Sequence, residues 1–203
     1  MMITNFVFDL GQVLLSFNPR EYLEKRYTKP IHRELLFQAV FGSQSWLDLD
    51  KGMIDEQEAF HQMSDGLPSL CEDIQYLLDH WDEMLIPIEG TIALLHRLKE
   101  QNYRLFMISN FHRRAYDRVR RQHTFFEMFD GILISSHVKL LKPDSAIYER
   151  LLADYSLTAE TCLFIDDTPA NVAGAQSAGI AGLVFHDAPT LEKDLCAMGI
   201  LKL

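Results

Sequence analysis

Asn5-Phe6-Val7-Phe8-Asp9-Leu10-Gly11-Gln12-Val13 is a short apolar run that stops at a lone carboxylate, with a glycine two positions on. The Phe- and Val-rich run, preceded by Thr4-Asn5, predicts a buried β-strand. Asp9 then falls where that strand ends and the chain turns. In open parallel α/β sheets, ligands occupy the crevice beyond the carboxyl ends of the strands. An acid there is placed to act as a nucleophile or a metal ligand. Aspartate at a strand end also serves as a simple turn residue, and the rest of the chain decides between the two.

Downstream, Val13-Leu14-Leu15 stays apolar and meets Asn18-Pro19, a helix-start signal. From Phe17 to about Leu85 the spacing is helical. Leu35, Leu36, Ala39 and Val40 share one face, and Asp55 with Glu58 resembles a capping box. Ile74, Leu77, Leu78, Trp81 and Leu85 recur at three- and four-residue steps. Beyond Ile86-Pro87 the pattern changes. Apolar runs at Tyr103–Ile108, Gly131–Ile134, Cys162–Ile165 and Gly182–Phe185 alternate with helical stretches. Thr168 and Pro169 open one of these helices as cap and first residue, and Gly179 suits its end. Such alternation means βαβ units on a parallel sheet. The expected fold is α/β, a Rossmann-like doubly wound sheet formed by residues 1–16 and 87–203, with an all-helical insertion at 17–86.

The chain has 203 residues and is 48% hydrophobic, enough for a packed core. Its net charge of −10 argues against nucleic acid or an anionic membrane as the main partner. An anionic small molecule stays compatible, because the field inside one cleft differs from the total. The three cysteines, Cys71, Cys162 and Cys196, are scattered, which fits reduced thiols and a cytoplasmic protein. No stretch reads as a leader or a membrane span. Nothing in the sequence bears on oligomeric state.

Polar residues gather at the predicted strand ends or in nearby loops: Asp9, Ser109-Asn110, Lys142 and Asp166-Asp167. Each has an ordinary reading. Ser109 and the paired acids can cap helices, and Lys142 can be a loop lysine. Parallel strands, however, bring all these ends to one edge of the sheet. Asp9 and Asp167 are hard oxygen donors of the kind Mg²⁺ takes alongside substrate phosphate. A carboxylate can attack phosphorus once the repulsion between the two anions is relieved, and Lys142, Ser109 and backbone N–H groups are suited to relieve it. No Walker loop is present, which argues against an NTP machine.

In these motifs the chain resembles the haloacid dehalogenase-like hydrolases with a helical cap inserted after the first strand. Phe8–Val13 is similar to the family's first motif, Ile108-Ser109-Asn110 to its second, Lys142-Pro143 to its third and Phe164–Asn171 to its fourth. The resemblance implies a small-molecule phosphate substrate with Asp9 as nucleophile. It implies Mg²⁺ held by Asp9, the Gly11 carbonyl and Asp167. Ser109, Asn110 and Lys142 would bind the phosphoryl group, and Asp166 and Asn171 would orient the metal site. Within the family the wording resembles bacterial phosphatases acting on glucose 1-phosphate, and the phosphatase domain of soluble epoxide hydrolases.

Gly11 departs from the pattern. Most phosphatases of this family carry a second aspartate there, which protonates the leaving group and later activates water. General acid–base catalysis is worth about 10²–10⁴-fold, or roughly 3–5 kcal/mol. Taken alone, Gly11 implies a preference for good leaving groups, such as anomeric sugar phosphates, unless His112 or a cap residue supplies the acid. Two other readings follow. One is 2-haloacid dehalogenase chemistry by Asp9 without metal. The other is a catalytically weakened phosphate-binding protein. Paired acids beside an aspartate nucleophile favour a cation, because like charges repel. The cap aromatics Phe41, Trp46, Phe60, Tyr76 and Trp81 read as cap core, with Trp46 the one that could face the cleft. Arg113-Arg114 and Arg120-Arg121 read as a solvated helix face.

Overall fold

A computed structural model describes residues 2–202. Five parallel strands form one sheet in the order β3-β2-β1-β4-β5. They are β1 (Asn5–Phe8), β2 (Arg104–Ser109), β3 (Gly131–Ile134), β4 (Cys162–Asp166) and β5 (Ala181–Val184). The first strand lies at the centre. It pairs with β2 on one side and β4 on the other, Phe8 standing opposite Met107 and Ile165. The strand order therefore reverses direction beside β1, which is where a doubly wound sheet opens its ligand crevice.

Side-chain alternation divides the interior into two apolar layers. Phe6, Phe8, Leu105, Met107, Leu163 and Ile165 enter one. Val7, Phe106, Ile108, Cys162 and Phe164 enter the other. These strands read as near-continuous apolar runs because both faces are covered by helices.

The insertion holds α1 (Pro19–Arg26), α2 (Pro30–Ala39), α3 (Gln44–Lys51), α4 (Glu56–Ser64) and α5 (Cys71–His80). The helices of the sheet region are α6 (Glu89–Glu100), α7 (Arg113–Gln122), α8 (Ser135–Val138), α9 (Ser145–Asp154), α10 (Pro169–Ser177) and α11 (Ala188–Ala197). The two crossings into the insertion run side by side: Ser16 N donates to Ile86 O and Ile88 N to Leu14 O. A 3₁₀ turn over Trp81–Met84 breaks the stripe that the spacing predicts as one helix to Leu85. The last helix begins at Ala188, where the Asp187 side chain caps it and Pro189 sits in its first turn. Thr168 does not cap α10 through its side chain. Its backbone N–H is taken by Asp166 and its hydroxyl leans toward Asp167 at 3.4 Å. Among the described residues no helix is long and apolar enough to cross a membrane.

Gly174 lets α10 press against the loop that carries Lys142. A Cβ there would meet Pro143 O at 2.3 Å, and this neighbour is backbone. Gly174→Ala should therefore lose about 1–3 kcal/mol of stability, read as a lowered urea midpoint with unchanged slope. An unchanged midpoint would show that the loop gives way freely.

Candidate active site

The carboxyl ends of β1, β2 and β4 converge with the loop before α9. Asp9 directly follows β1, its N–H donating to Ile165 O across the sheet. Its Oδ1 accepts from Leu10 N at 2.7 Å and lies 2.7 Å from Lys142 Nζ. The same ammonium reaches Asp166 Oδ2 at 2.6 Å. Lys142 is 5% exposed and Asp166 fully buried, so this shared cation sits away from water.

Each partner is fixed in turn. Asn110 grips the Lys142 backbone from both sides, its Oδ1 accepting from Lys142 N at 2.9 Å and its Nδ2 donating to Lys142 O at 3.1 Å. Asp166 accepts from Thr168 N at 2.8 Å and from Asn171 Nδ2 at 3.0 and 3.1 Å. Tyr148 OH donates to Asn171 O at 2.7 Å and ties α9 to α10. Ser109 ends β2, buried.

Asp9, Asp166 and Asp167 each offer an oxygen within 4.8 Å of the others. Three carboxylates thus face one lysine. Burial raises the Asp9 carboxyl above its usual range, with Lys142 opposing and Asp166 adding to the rise. Asp167 is raised too, by burial and then by Asp166. Lys142 stays charged because the two acids outweigh the cost of burying it. Asp166 already serves Lys142, Thr168 and Asn171, so Asp9 and Asp167 are the carboxylates with oxygens to spare. Two hard oxygen donors with excess negative charge suit a small divalent cation such as Mg²⁺.

A cavity of about 210 Å³ opens over these residues. Its floor is Asp9, Gly11, Ser109, Asn110, Lys142 and Asp167, with Asn171 beside them. Its roof comes from the insertion: Phe17, Trp46, Asp50, Trp81 and Leu85. A larger groove of about 870 Å³ lies elsewhere, lined by residues of both charge signs such as Arg113, Lys139 and Glu58, and none of the strand-end carboxylates reaches it.

All the residues singled out in the strand-end motifs therefore meet in one place. The sequence profile of the haloacid dehalogenase-like hydrolases matches residues 3–179. The chain belongs to the haloacid dehalogenase-like hydrolases. It is 29% identical over 191 residues to a sesquiterpene phosphatase of Aspergillus oryzae, covering 92% of this chain and 93% of that protein. It is 28% identical over 156 residues to a flavin mononucleotide hydrolase of Arabidopsis thaliana, covering 76% of this chain and 62% of that protein. Its structure is similar to a family enzyme from Bacteroides thetaiotaomicron solved with magnesium and inorganic phosphate. There the TM-score is 0.72 at 24% identity, over 91% of this chain and 95% of that one. It is also similar to L-2-haloacid dehalogenase from Xanthobacter autotrophicus, with a TM-score of 0.68 at 19% identity over 98% and 85%. These two likenesses show the fold.

Reasoning from sequence missed Asp50. It sits near the end of α3, 9% exposed, with its carboxyl 3.3 Å from His112 Nε2. The contact is poorly aligned, and His112 Nε2 makes no hydrogen bond. Burial pushes the Asp50 carboxyl up to about 8; Lys142 opposes this and Asp9 adds to it. Burial pushes His112 down to about 3, with a backbone bond at Trp46 opposing and Arg118 adding. His112 is thus a neutral imidazole at pH 7, packed against Trp46 and Trp81, and has no proton to give as the substitute acid. Trp46 and Trp81 belong to the apolar cluster that joins the insertion to one face of the sheet and also line the cavity, so the core reading of these rings is half the account.

The two shifts act oppositely on stability. The folded state keeps Asp50 protonated from about pH 4 to 8 while the unfolded chain has released that proton, so rising pH destabilises. The unfolded chain protonates His112 below about pH 6.5 while the folded state refuses the proton, so falling pH destabilises. The slopes of these two groups offset below pH 6.5; above it Asp50 continues, beside Asp9, whose carboxyl burial also raises, and the Asp50→Asn comparison isolates the Asp50 share. Between pH 6.5 and 8 the wild type should lose about 2 kcal/mol that Asp50→Asn retains, at about 1.4 kcal/mol per pH unit. Urea unfolding of both proteins at the two pH values measures this, and equal losses would contradict it.

Proposed function

We propose that this hydrolase is a Mg²⁺-dependent phosphatase that cleaves a small organic phosphate monoester through an aspartyl-phosphate on Asp9. The observation that carries the reading is Lys142 held between Asp9 and Asp166, with Asp167 at the rim of the same cavity. Such a set presents a fixed carboxylate to an incoming phosphoryl group with Lys142 beside it, and leaves excess negative charge for a divalent cation to offset.

In this reading Asp9 Oδ attacks phosphorus and the bond to the leaving oxygen breaks. Lys142 and Ser109 donate to the phosphoryl oxygens. Asn110 holds the Lys142 backbone in register. Asp166 and Asn171 fix the ammonium and the loop before α10. Asp9, Asp167 and the backbone carbonyl of Gly11 would hold Mg²⁺, which supplies positive charge at the phosphoryl oxygens when bound. Water then cleaves the aspartyl-phosphate and frees Asp9. The helical insertion, with boundaries at 17 and 86, acts as a cap that keeps bulk water out during attack.

The cavity's volume suits a compact substrate, and its aromatic roof suits the apolar face of a sugar ring. The same roof, with a relative named as a sesquiterpene phosphatase, supports a second reading in which the organic group is an isoprenoid chain. Dehalogenation is disfavoured by the paired acids beside Asp9, which call for a cation.

The test is a panel of glucose 1-phosphate, flavin mononucleotide, farnesyl phosphate and p-nitrophenyl phosphate, run with Mg²⁺ or with EDTA. Phosphate release should need the metal, and Asp9→Asn should lower it by at least about 10³-fold. Chloride release from 2-chloropropionate in EDTA, or binding of these esters without turnover, would overturn the reading.

A further inference from the structure

We propose that Asp50, carried on the cap helix α3, is the proton donor to the leaving group in the place that Gly11 cannot fill. This rests on the phosphatase reading and adds to it a residue outside the strand-end motifs.

The geometry comes first. Asp50 lines the cavity from the side opposite the strand ends and faces the same space as Asp9, Lys142 and Asp167. Gly11 also lines this space and offers no side chain, so no acid stands beside Asp9 on the first loop. Asp50 is held in place by its own backbone. Ser135 Oγ donates to Asp50 O and accepts from Phe111 N at 2.9 Å, so one buried hydroxyl links the cap to the loop after β2. Two residues on, Gly52 has φ +68, and a Cβ there would lie 2.3 Å from Ser136 O. Only glycine allows the end of α3 to seat this closely on α8.

No structural duty explains the carboxyl. It caps no helix, and it lies at the C-terminal end of α3, where the helix dipole disfavours negative charge. The charged and titratable groups around it are Asp9 and Lys142 from the sheet side and His112 from the start of α7, with Arg118 behind His112. Lys142 is already shared by two acids, and His112 is neutral. The carboxyl therefore rests in its protonated form at neutral pH, as a donor must.

The step balances. Asp9 Oδ forms the new bond to phosphorus as the bond to the leaving oxygen breaks. The leaving oxygen keeps the electron pair and takes the proton from Asp50. The resulting carboxylate then takes a proton from the water that attacks the aspartyl-phosphate, and both acids return to their starting states.

The experiment compares release of the leaving group in the first turnover for a simple alkyl phosphate and for p-nitrophenyl phosphate. The alkoxide needs the proton and the nitrophenolate does not. Asp50→Asn should slow the alkyl ester by about 100-fold and the nitrophenyl ester by a few-fold at most. Asp50→Ala should give the same ratio, so the result does not depend on one variant folding. Adding Gly11→Asp to Asp50→Asn should restore at least about tenfold of the alkyl rate. A Cβ at Gly11 meets nothing within 4 Å, so the new aspartate has room. Equal losses on both esters, or no recovery with Gly11→Asp, would overturn the assignment. Infrared difference spectra of wild type and Asp50→Asn at pH 6.5 in Mg²⁺ provide a readout without substrate. A protonated-carboxyl band lost in the variant is expected. Finding only carboxylate bands overturns Asp50 even if every phosphate ester proves inert, an outcome that would instead count against the phosphatase reading.

Discussion

One ammonium between two buried carboxylates governs this molecule. Burying an ion costs several kcal/mol, and Lys142 offsets that only because Asp9 and Asp166 both lie within hydrogen-bond distance. Removing Lys142 would leave both carboxylates buried without their cation. The central strand, its β4 neighbour and the loop before α9 are therefore bound to one arrangement. Much of the surrounding structure serves it: Asn110 clasps the lysine backbone, Asn171 and Thr168 occupy the rest of Asp166, and Gly174 lets α10 close in behind.

The cap is attached by a different kind of interaction. The paired crossings at Ser16 and Ile86 join it to the sheet region through backbone hydrogen bonds, and apolar and polar contacts continue along the seam. Arg118 of α7 makes a two-pronged bond to Asp82, at 3.0 and 2.7 Å, across the seam. Ser135 and Ser136 receive the end of α3. Separating cap from sheet region would break these polar contacts and expose the aromatic roof. The seam is thus held by both charge and apolar burial.

The strand ends were legible in the sequence because their chemistry is local: an apolar run, then a polar residue, repeated along the chain. Parallel topology alone carries Asp9, Ser109, Lys142 and Asp166 to one edge, so the floor of the site follows from the fold class. The roof does not. Helix α3 is short, and its buried face, Ser45, Trp46, Leu49 and Asp50, is shared between the apolar core and the cavity, where Trp46 and Asp50 stand. Its signals were Ser43 as N-cap and Gly52 past its end, which mark a helix but do not say what it faces. Asp50 looks like any surface acid until the chain is folded. His112 follows Ser109-Asn110 closely enough to suggest a role in proton transfer, yet burial keeps it neutral. Proximity in sequence says nothing about solvation.

The chain has only two tryptophans, and Trp46 and Trp81 both stand in the roof, their rings 5.0 Å apart. Indole emission depends on the polarity and order of its surroundings. Nearly all of this protein's intrinsic fluorescence therefore originates at the one place where a substrate would enter. The molecule carries its own optical gauge of this cavity, and a ligand that fills it would change the emission of unlabelled protein without any engineered probe.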